Sequence, residues 1–126
     1  MHEGIQSCVS RYSFEESVAR LEAGLKEKGV KVFCVIDYSG DAKAAGLEMP
    51  PTRLFVFGNP KAGTPLMLEA PSLALDLPLR LLVAESEGEV VLSWNDPAWL
   101  QRRHGFSPEL VGNLGAAKAF AESLAR

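Results

Sequence analysis

Residues Thr52 to Pro78 read TRLFVFGNPKAGTPLMLEAPSLALDLP, and the other elements of the chain are organised around this stretch. It is too apolar for a surface loop, and glycine and proline interrupt it too often for one helix or strand. The alternation in Thr52 to Phe57 predicts a strand, which the Gly58-Asn59-Pro60 turn ends. We therefore expect one strand, two proline-fixed turns and a short helical insert.

The insert predicts a helix of one or two turns. Thr64 fits the N-cap and Pro65 the first helical position, so we expect a helix from Pro65 to Glu69. Pro71 breaks this helix, and the residues that follow it predict another turn.

Before this stretch, the clearest element is a helix that begins after Ser13. Ser13 and Glu16 fit a capping box, and Gly29 suits the left-handed end of the helix. The apolar residues recur at spacings of four, three and four and make one stripe: Phe14, Val18, Leu21 and Leu25. Ile5 to Val9 predicts a short strand ahead of this helix.

Two connections lead from this helix to the central stretch. Val30 to Ile36 predicts a strand, and its unbroken apolar run indicates that both of its faces are covered. Tyr38 to Pro51 predicts a connection that contains a short helix, from about Asp41 to Ala45.

After the central stretch, Leu79 to Glu85 and Glu89 to Trp94 predict a hairpin with a short polar turn. Asp96-Pro97 opens a short helix, and an apolar stripe from Leu110 to Leu124 predicts a last long helix. The order β-α-β-β-β-β-α predicts an α+β fold, a mainly antiparallel five-stranded sheet with two long helices packed on one face.

Composition bounds the class of protein. The chain has 126 residues, the size of a single domain. A net charge of -3 without a lysine or arginine cluster argues against nucleic acid as a partner. Because no apolar run reaches the roughly eighteen residues of a membrane span, we expect no membrane partner either.

We expect a cytoplasmic protein, because the N-terminus lacks the basic and apolar regions of a signal peptide. Cys8 and Cys34 are then expected to be free thiols. The cysteines and histidines have no metal-ligand spacing, so we expect no metal and no cofactor.

Three segments resemble the bacterial and archaeal family of domain of unknown function 302. They are VIDYSGDAKAAGLEMPPTRLFVFGNPKAGTPLM, APSLALDLPLRLLV and SWNDPAWL. The resemblance extends from about Val30 to Leu100, and Gly58 to Pro65 is its most specific part. It implies a TATA-binding-protein-like architecture with a sheet and two helices. It implies no reaction, because the activity of that family is not established.

The segment from Gly58 to Thr64 has the glycine spacing of a phosphate-binding loop. It lacks a lysine directly after Gly63, so we do not expect nucleotide binding. Asn59, Lys61 and the backbone amides around Gly63 and Thr64 are candidates for a small anion site at a helix start. The alternative is that these residues serve only the turn.

Asp37 and Asp76 each follow a predicted element. Carboxylates there usually cap a helix or a turn, although two that converge in a cleft can do acid–base chemistry. Asp76 lies in an otherwise apolar run, so it must reach water or be held by donors. Arg80, Arg53 or Lys61 are the candidate donors.

Three further residues are candidates for a role. Asn95 lies between Trp94 and Trp99, which either line a pocket or pack in the core. Cys34 lies in the middle of an apolar strand, where burial is expected to make it inert. His104 lies near a helix C-terminus, where it can interact with exposed carbonyl groups.

These features give two main hypotheses. The first is a self-associating domain, expected to be a homodimer, that binds a small anionic or apolar ligand or a partner. The second is an enzyme in which Asp76 and Lys61 perform acid–base chemistry on a small anionic substrate. A weaker alternative is a thiol- or sulfur-handling role of Cys34.

Overall fold

The structure is a computed structural model that describes residues 2–126. Within these residues, five antiparallel strands form one sheet in the order β1-β5-β4-β3-β2. The strands are β1 (Ile5–Val9), β2 (Lys31–Asp37), β3 (Thr52–Gly58), β4 (Leu79–Ser86) and β5 (Glu89–Asn95). The α-helices are α1 (Phe14–Glu27), α2 (Tyr38–Ala44), α3 (Pro60–Glu69), α4 (Pro97–His104) and α5 (Ala116–Glu122). The first 3-10 helix is Pro71–Leu75 and the second is Pro108–Leu114.

The predicted α+β fold is confirmed, and α1 is its most regular helix. The Ser13 hydroxyl accepts a hydrogen bond from the Glu16 backbone N–H at 3.1 Å. The Glu16 carboxylate pairs with Arg20 at 3.1 Å, rather than closing the capping box. The predicted stripe is buried in the main core: Phe14, Val18, Leu21 and Leu25.

The sheet has two different faces. On the helix face, apolar side chains join α1 and α5 in the main core: Phe55, Phe57, Leu81, Val83, Leu92 and Trp94. The pairing register places other side chains on the opposite face, here called the open face: Ile36, Leu54, Val56, Leu82, Ala84 and Val91. Within residues 2–126, these six belong to neither of the two core clusters.

The prediction that both faces of β2 are covered is wrong. Val32, Phe33 and Val35 are 43%, 49% and 43% exposed, and Cys34 is exposed. β2 lies at one edge of the sheet next to β3, with an irregular register between Val32 and Cys34. An apolar run thus occupies an edge strand, where sequence alone suggested a buried one.

The prediction for the start of α3 is also wrong. The Asn59 side chain accepts a hydrogen bond from the Lys61 N–H at 3.0 Å, and Pro60 takes the first helical position. Pro65 therefore lies inside the helix, where it removes a backbone donor. Thr64 is not the cap, because an earlier Asn-Pro pair already begins the helix.

The last helix is shorter than predicted. Leu110 and Leu114 lie in the second 3-10 helix, and α5 begins only after Gly115. A Cβ atom at Gly115 would lie 3.3 Å from the Gly112 carbonyl oxygen. Glycine in a helix interior costs roughly 1 kcal/mol relative to alanine. The two glycines therefore account for the break, which leaves α1 as the one long helix among the described residues.

None of the helices in the described part of the chain combines the length and the apolar character needed to cross a membrane.

Candidate functional site

A cavity of about 370 Å³ lies at the end of the sheet where β3 ends and β4 begins. Its wall is mostly apolar: Val30, Phe33, Phe57, Met67, Leu77 and Leu79. Three uncharged polar residues complete it: Asn59, Thr64 and Asn113. The described lining residues include no charged side chain. The volume lies at the lower end of the range of small-molecule sites.

Side-chain hydrogen bonds hold two walls of this cavity together. The Asn113 side-chain amide donates to the Ala62 carbonyl oxygen at 3.1 Å. At the other end of α3, Glu69 Oε1 accepts from the backbone N–H and the hydroxyl of Ser107, each at 2.8 Å. These two bonds, the backbone one first, lower the pKa of Glu69 below its usual value. The second 3-10 helix is therefore tied to both ends of α3.

Three of the predicted binding residues, Asn59, Gly63 and Thr64, line the cavity. The predicted anion site at the amides around Gly63 is not at a helix start, because α3 begins earlier, at Pro60. The Gly63 N–H already donates to the Asn59 carbonyl oxygen at 3.0 Å. Lys61 is exposed and lies outside the lining given by the described residues. A Cβ atom at Gly63 would lie 3.5 Å from Leu77 Cδ1, so this glycine keeps space in the cavity.

Asp37 lies at the other end of the sheet. Its Oδ1 accepts the Gly40 N–H at 3.0 Å and caps α2, which begins at Tyr38 and not at Asp41 as expected. Its Oδ2 lies 3.3 Å from the Arg53 guanidinium. Asp37 borders a broad, open depression of about 720 Å³. Asp37 pairs with Arg53 of β3, and the five residue steps from Arg53 to Gly58 at the cavity span about 17 Å at 3.3 Å per residue.

Asn95 and Cys34 lie away from the cavity as well. Asn95 pairs with Ile5 and points to the open face, whereas its neighbour Trp94 is buried in the main core. Cys34 is exposed on the open face opposite Val56 of β3. Its predicted burial is therefore wrong, and a thiol- or sulfur-handling role stays a prediction.

Asp76 belongs to a polar cluster between the first 3-10 helix and α4. Asp76 Oδ2 accepts from Arg103 Nη1 at 2.9 Å and lies 2.6 Å from His104 Nε2. The second ring nitrogen, His104 Nδ1, lies 2.7 Å from the Ser72 hydroxyl oxygen. A serine, a histidine and an aspartate thus stand in one hydrogen-bonded row.

The sequence predicted other partners for Asp76. Arg53 pairs with Asp37 instead, and within residues 2–126 neither Lys61 nor Arg80 forms a salt bridge with Asp76. The hypothesis of acid–base chemistry by Asp76 and Lys61 therefore lacks the contact that it needs. Sequence reasoning missed Ser72 and the role of His104, because 28 and 32 positions separate the bonded partners.

Comparison with protein families identifies one match. The model described as "Domain of unknown function DUF302" matches residues 6–126. The crystal structure of an uncharacterized conserved DUF302 protein from Bacillus stearothermophilus superposes on this chain with a TM-score of 0.78. The superposition covers 98% of this chain and 97% of that chain at 21% sequence identity, so it shows a shared fold.

Curated relatives with higher identity carry a different name. "Fluoride-specific ion channel FluC 1" of Brucella suis biovar 1 (strain 1330) is 46% identical over 102 residues, which are 80% of this chain and 40% of that protein. The protein of the same name from Brucella abortus biovar 1 (strain 9-941) is also 46% identical, over 38% of its length. The chain thus spans about two fifths of the curated relatives that it matches.

We expect Asp37→Ala to lower stability at neutral pH, and the difference from the unaltered protein to shrink as the pH falls. The Gly40 N–H, opposed by partial desolvation and supported by Arg53, lowers the pKa of Asp37. A lowered pKa gives stability that is present above the ordinary aspartate value of about 3.9 and is lost as the pH falls through the folded value. Urea unfolding at a series of pH values measures this difference.

Asp41→Ala is the matched control, because Asp41 lies in the first turn of the same helix but does not cap it. Its removal is expected to change the pH dependence less. An equal pH dependence of both variants would contradict the role of the Asp37 cap.

Proposed function

The chain belongs to the family of domain of unknown function DUF302, and from that premise we propose that it binds a small, mainly apolar ligand in the cavity beside α3. The cavity carries this proposal, because its volume of about 370 Å³ and its uncharged lining suit a small neutral molecule. A charged ligand would lose its hydration on entering the cavity and would find no opposite charge among the described lining residues to compensate. Asn59 and Asn113 offer amide groups that can orient one or two polar atoms of the ligand.

Gly63→Leu is expected to abolish binding while the fold persists. The new side chain would grow from a Cβ position 3.5 Å from Leu77 and 3.9 Å from the end of Met67, and would fill the cavity. Leucine also has a higher helix propensity than glycine, which favours α3. Fluorescence titration with an environment-sensitive apolar dye measures binding, and thermal unfolding checks the fold.

Lys61→Leu is the matched control, because it adds a leucine to the same helix at an exposed position outside the cavity lining. This variant is expected to bind the dye like the unaltered protein. If Gly63→Leu binds equally well, or if the unaltered protein shows no saturable binding, the cavity is not the ligand site.

The same proposal includes self-association through the open face, in a cytoplasmic protein. The open face carries a continuous apolar row across three strands, Ile36, Leu54 and Leu82. A face of this kind can bury itself against a second copy in a two-fold dimer, because such an interface uses the same patch twice. A reducing compartment would keep the exposed Cys34 thiol free.

Charges at the ends of the open face favour a second copy as the occupant. β4 and β5 place Arg80 near one end of this face and Glu89 at the other. A copy that packs with its strands reversed brings Arg80 of each chain towards Glu89 of the other. Glu89 also pairs with Arg126 of its own chain at 2.7 Å, and both side chains are exposed enough to rearrange.

Leu82→Lys is expected to convert a dimer into a monomer, because it places a charge at the centre of the buried face. Sedimentation velocity over a range of protein concentrations measures the change. Leu75→Lys is the control, since Leu75 is 72% exposed and lies outside the sheet. An unaltered protein that stays monomeric at all concentrations would refute self-association.

The Brucella relatives favour a second candidate, an accessory domain that binds an ion channel. A segment 46% identical to this chain makes up 40% of a protein named as a fluoride-specific ion channel. If the two parts of that protein act together, this chain has a surface that fits the other part.

Liposomes that contain the unmatched part of the Brucella suis relative test this candidate. Co-sedimentation of this chain with these liposomes, and not with empty ones, is the expected outcome. A chain that stays in the supernatant with both would exclude the accessory role. Loss of co-sedimentation in Leu82→Lys would assign the open face to the channel instead of a second copy.

A further inference from the structure

The cluster of Ser72, His104, Asp76 and Arg103 lies outside the cavity lining that the described residues form. An ionised Asp76 only accepts hydrogen bonds, so His104 Nε2 carries the proton in the 2.6 Å contact. Nδ1 of the neutral ring is then an acceptor, and the Ser72 hydroxyl donates in the 2.7 Å contact. Ser72, His104 and Asp76 thus stand in the order of a nucleophile, a general base and a carboxylate that orients the base.

Burial distinguishes this row from a surface network. The His104 side chain is 3% exposed and that of Asp76 is 17% exposed, whereas Ser72 is exposed. Bonds at both ring nitrogens fix the orientation of the imidazole, and Arg103 holds the same carboxylate oxygen at 2.9 Å. An outside molecule can therefore reach the hydroxyl, while the groups behind it stay in place.

We propose that Ser72 is a nucleophile activated by His104, and that the chain transfers acyl groups from small carboxylic esters to water. Ser72 Oγ forms a bond to the carbonyl carbon while His104 Nδ1 accepts its proton. The ester C–O bond then breaks, and the leaving alcohol takes that proton. Water attacks the acyl-serine, gives a proton to Nδ1, and the acid leaves as Ser72 regains its hydrogen.

The substrate class follows from the surroundings of the serine. Ala74 and Leu77 follow Ser72 closely in the chain and line the apolar cavity. An ester with a small apolar acyl group suits this neighbourhood better than a charged one. The reactive serine does not depend on the cavity ligand, so Ser72→Ala is expected to retain dye binding in the cavity.

Labelling with a fluorophosphonate reagent tests the nucleophile. Ser72 Oγ forms the bond to phosphorus, fluoride leaves and His104 takes the proton. We expect the mass of one adduct on Ser72, located by peptide mass spectrometry, and none on the exposed Ser86. His104→Gln and Asp76→Asn are each expected to lower the labelling rate about 100-fold, the size of a general-base contribution.

Asp76 acts through His104 and is a positioning residue, so Asp76→Glu is expected to restore part of the labelling rate. Circular dichroism confirms that each variant is folded. Hydrolysis of a chromogenic acetate ester, lost in Ser72→Ala, measures turnover. If Ser72 is labelled no faster than Ser86, or if Asp76→Asn leaves the rate unchanged, the row is a structural contact between the first 3-10 helix and α4.

Discussion

The described chain has enough helix to cover one face of its sheet, and both the open face and the cavity result from this limit. Phe55, Phe57 and Val83 are fully buried on the helix face. Burial of each such side chain contributes roughly 1.5–3 kcal/mol to the free energy of unfolding. α1 provides most of the cover with 14 residues, while α5 has 7. The apolar side chains of the open face therefore belong to neither core cluster of the described residues, which is the reason for proposing that they pack against a second copy.

The cavity has the same origin. The shortened α5 leaves one end of the sheet to be covered by α3, α4 and the two 3-10 helices, which form a core cluster of their own. Leu79 packs against both clusters and also lines the cavity. Two separately packed cores meet at this residue, and the space between them is the binding site that we propose.

Sequence periodicity predicted the elements that depend on local patterns. α1, the hairpin and the caps at Ser13 and Asp96 follow from spacing within a few residues. The predicted start of α3 was wrong. Asn59-Pro60 and Thr64-Pro65 are both valid signals for the start of a helix, and tertiary packing selects between them. The exposure of Cys34 was also unpredictable, because an apolar run does not show whether its strand lies at an edge.

The candidate site was predicted only in part, for a related reason. Asn59, Gly63 and Thr64 are close in sequence, and the sequence predicted them as one group of binding residues. The hydrogen-bonded row of Ser72, His104 and Asp76 depends instead on His104, which α4 brings from a distant part of the chain. Local reasoning could name Asp76 as a carboxylate in need of donors. It named Arg80 of the hairpin among the donors and could not find the Arg103-His104 pair, which α4 supplies.

The first 3-10 helix joins the two sites physically. Leu73 is fully buried in the second core and anchors this segment. Ala74 within this 3-10 helix and Leu77 just after it both line the cavity. Ser72 and Asp76 leave the same short segment towards His104. The cavity and the serine row therefore share one buried anchor, while each site uses different side chains of the segment.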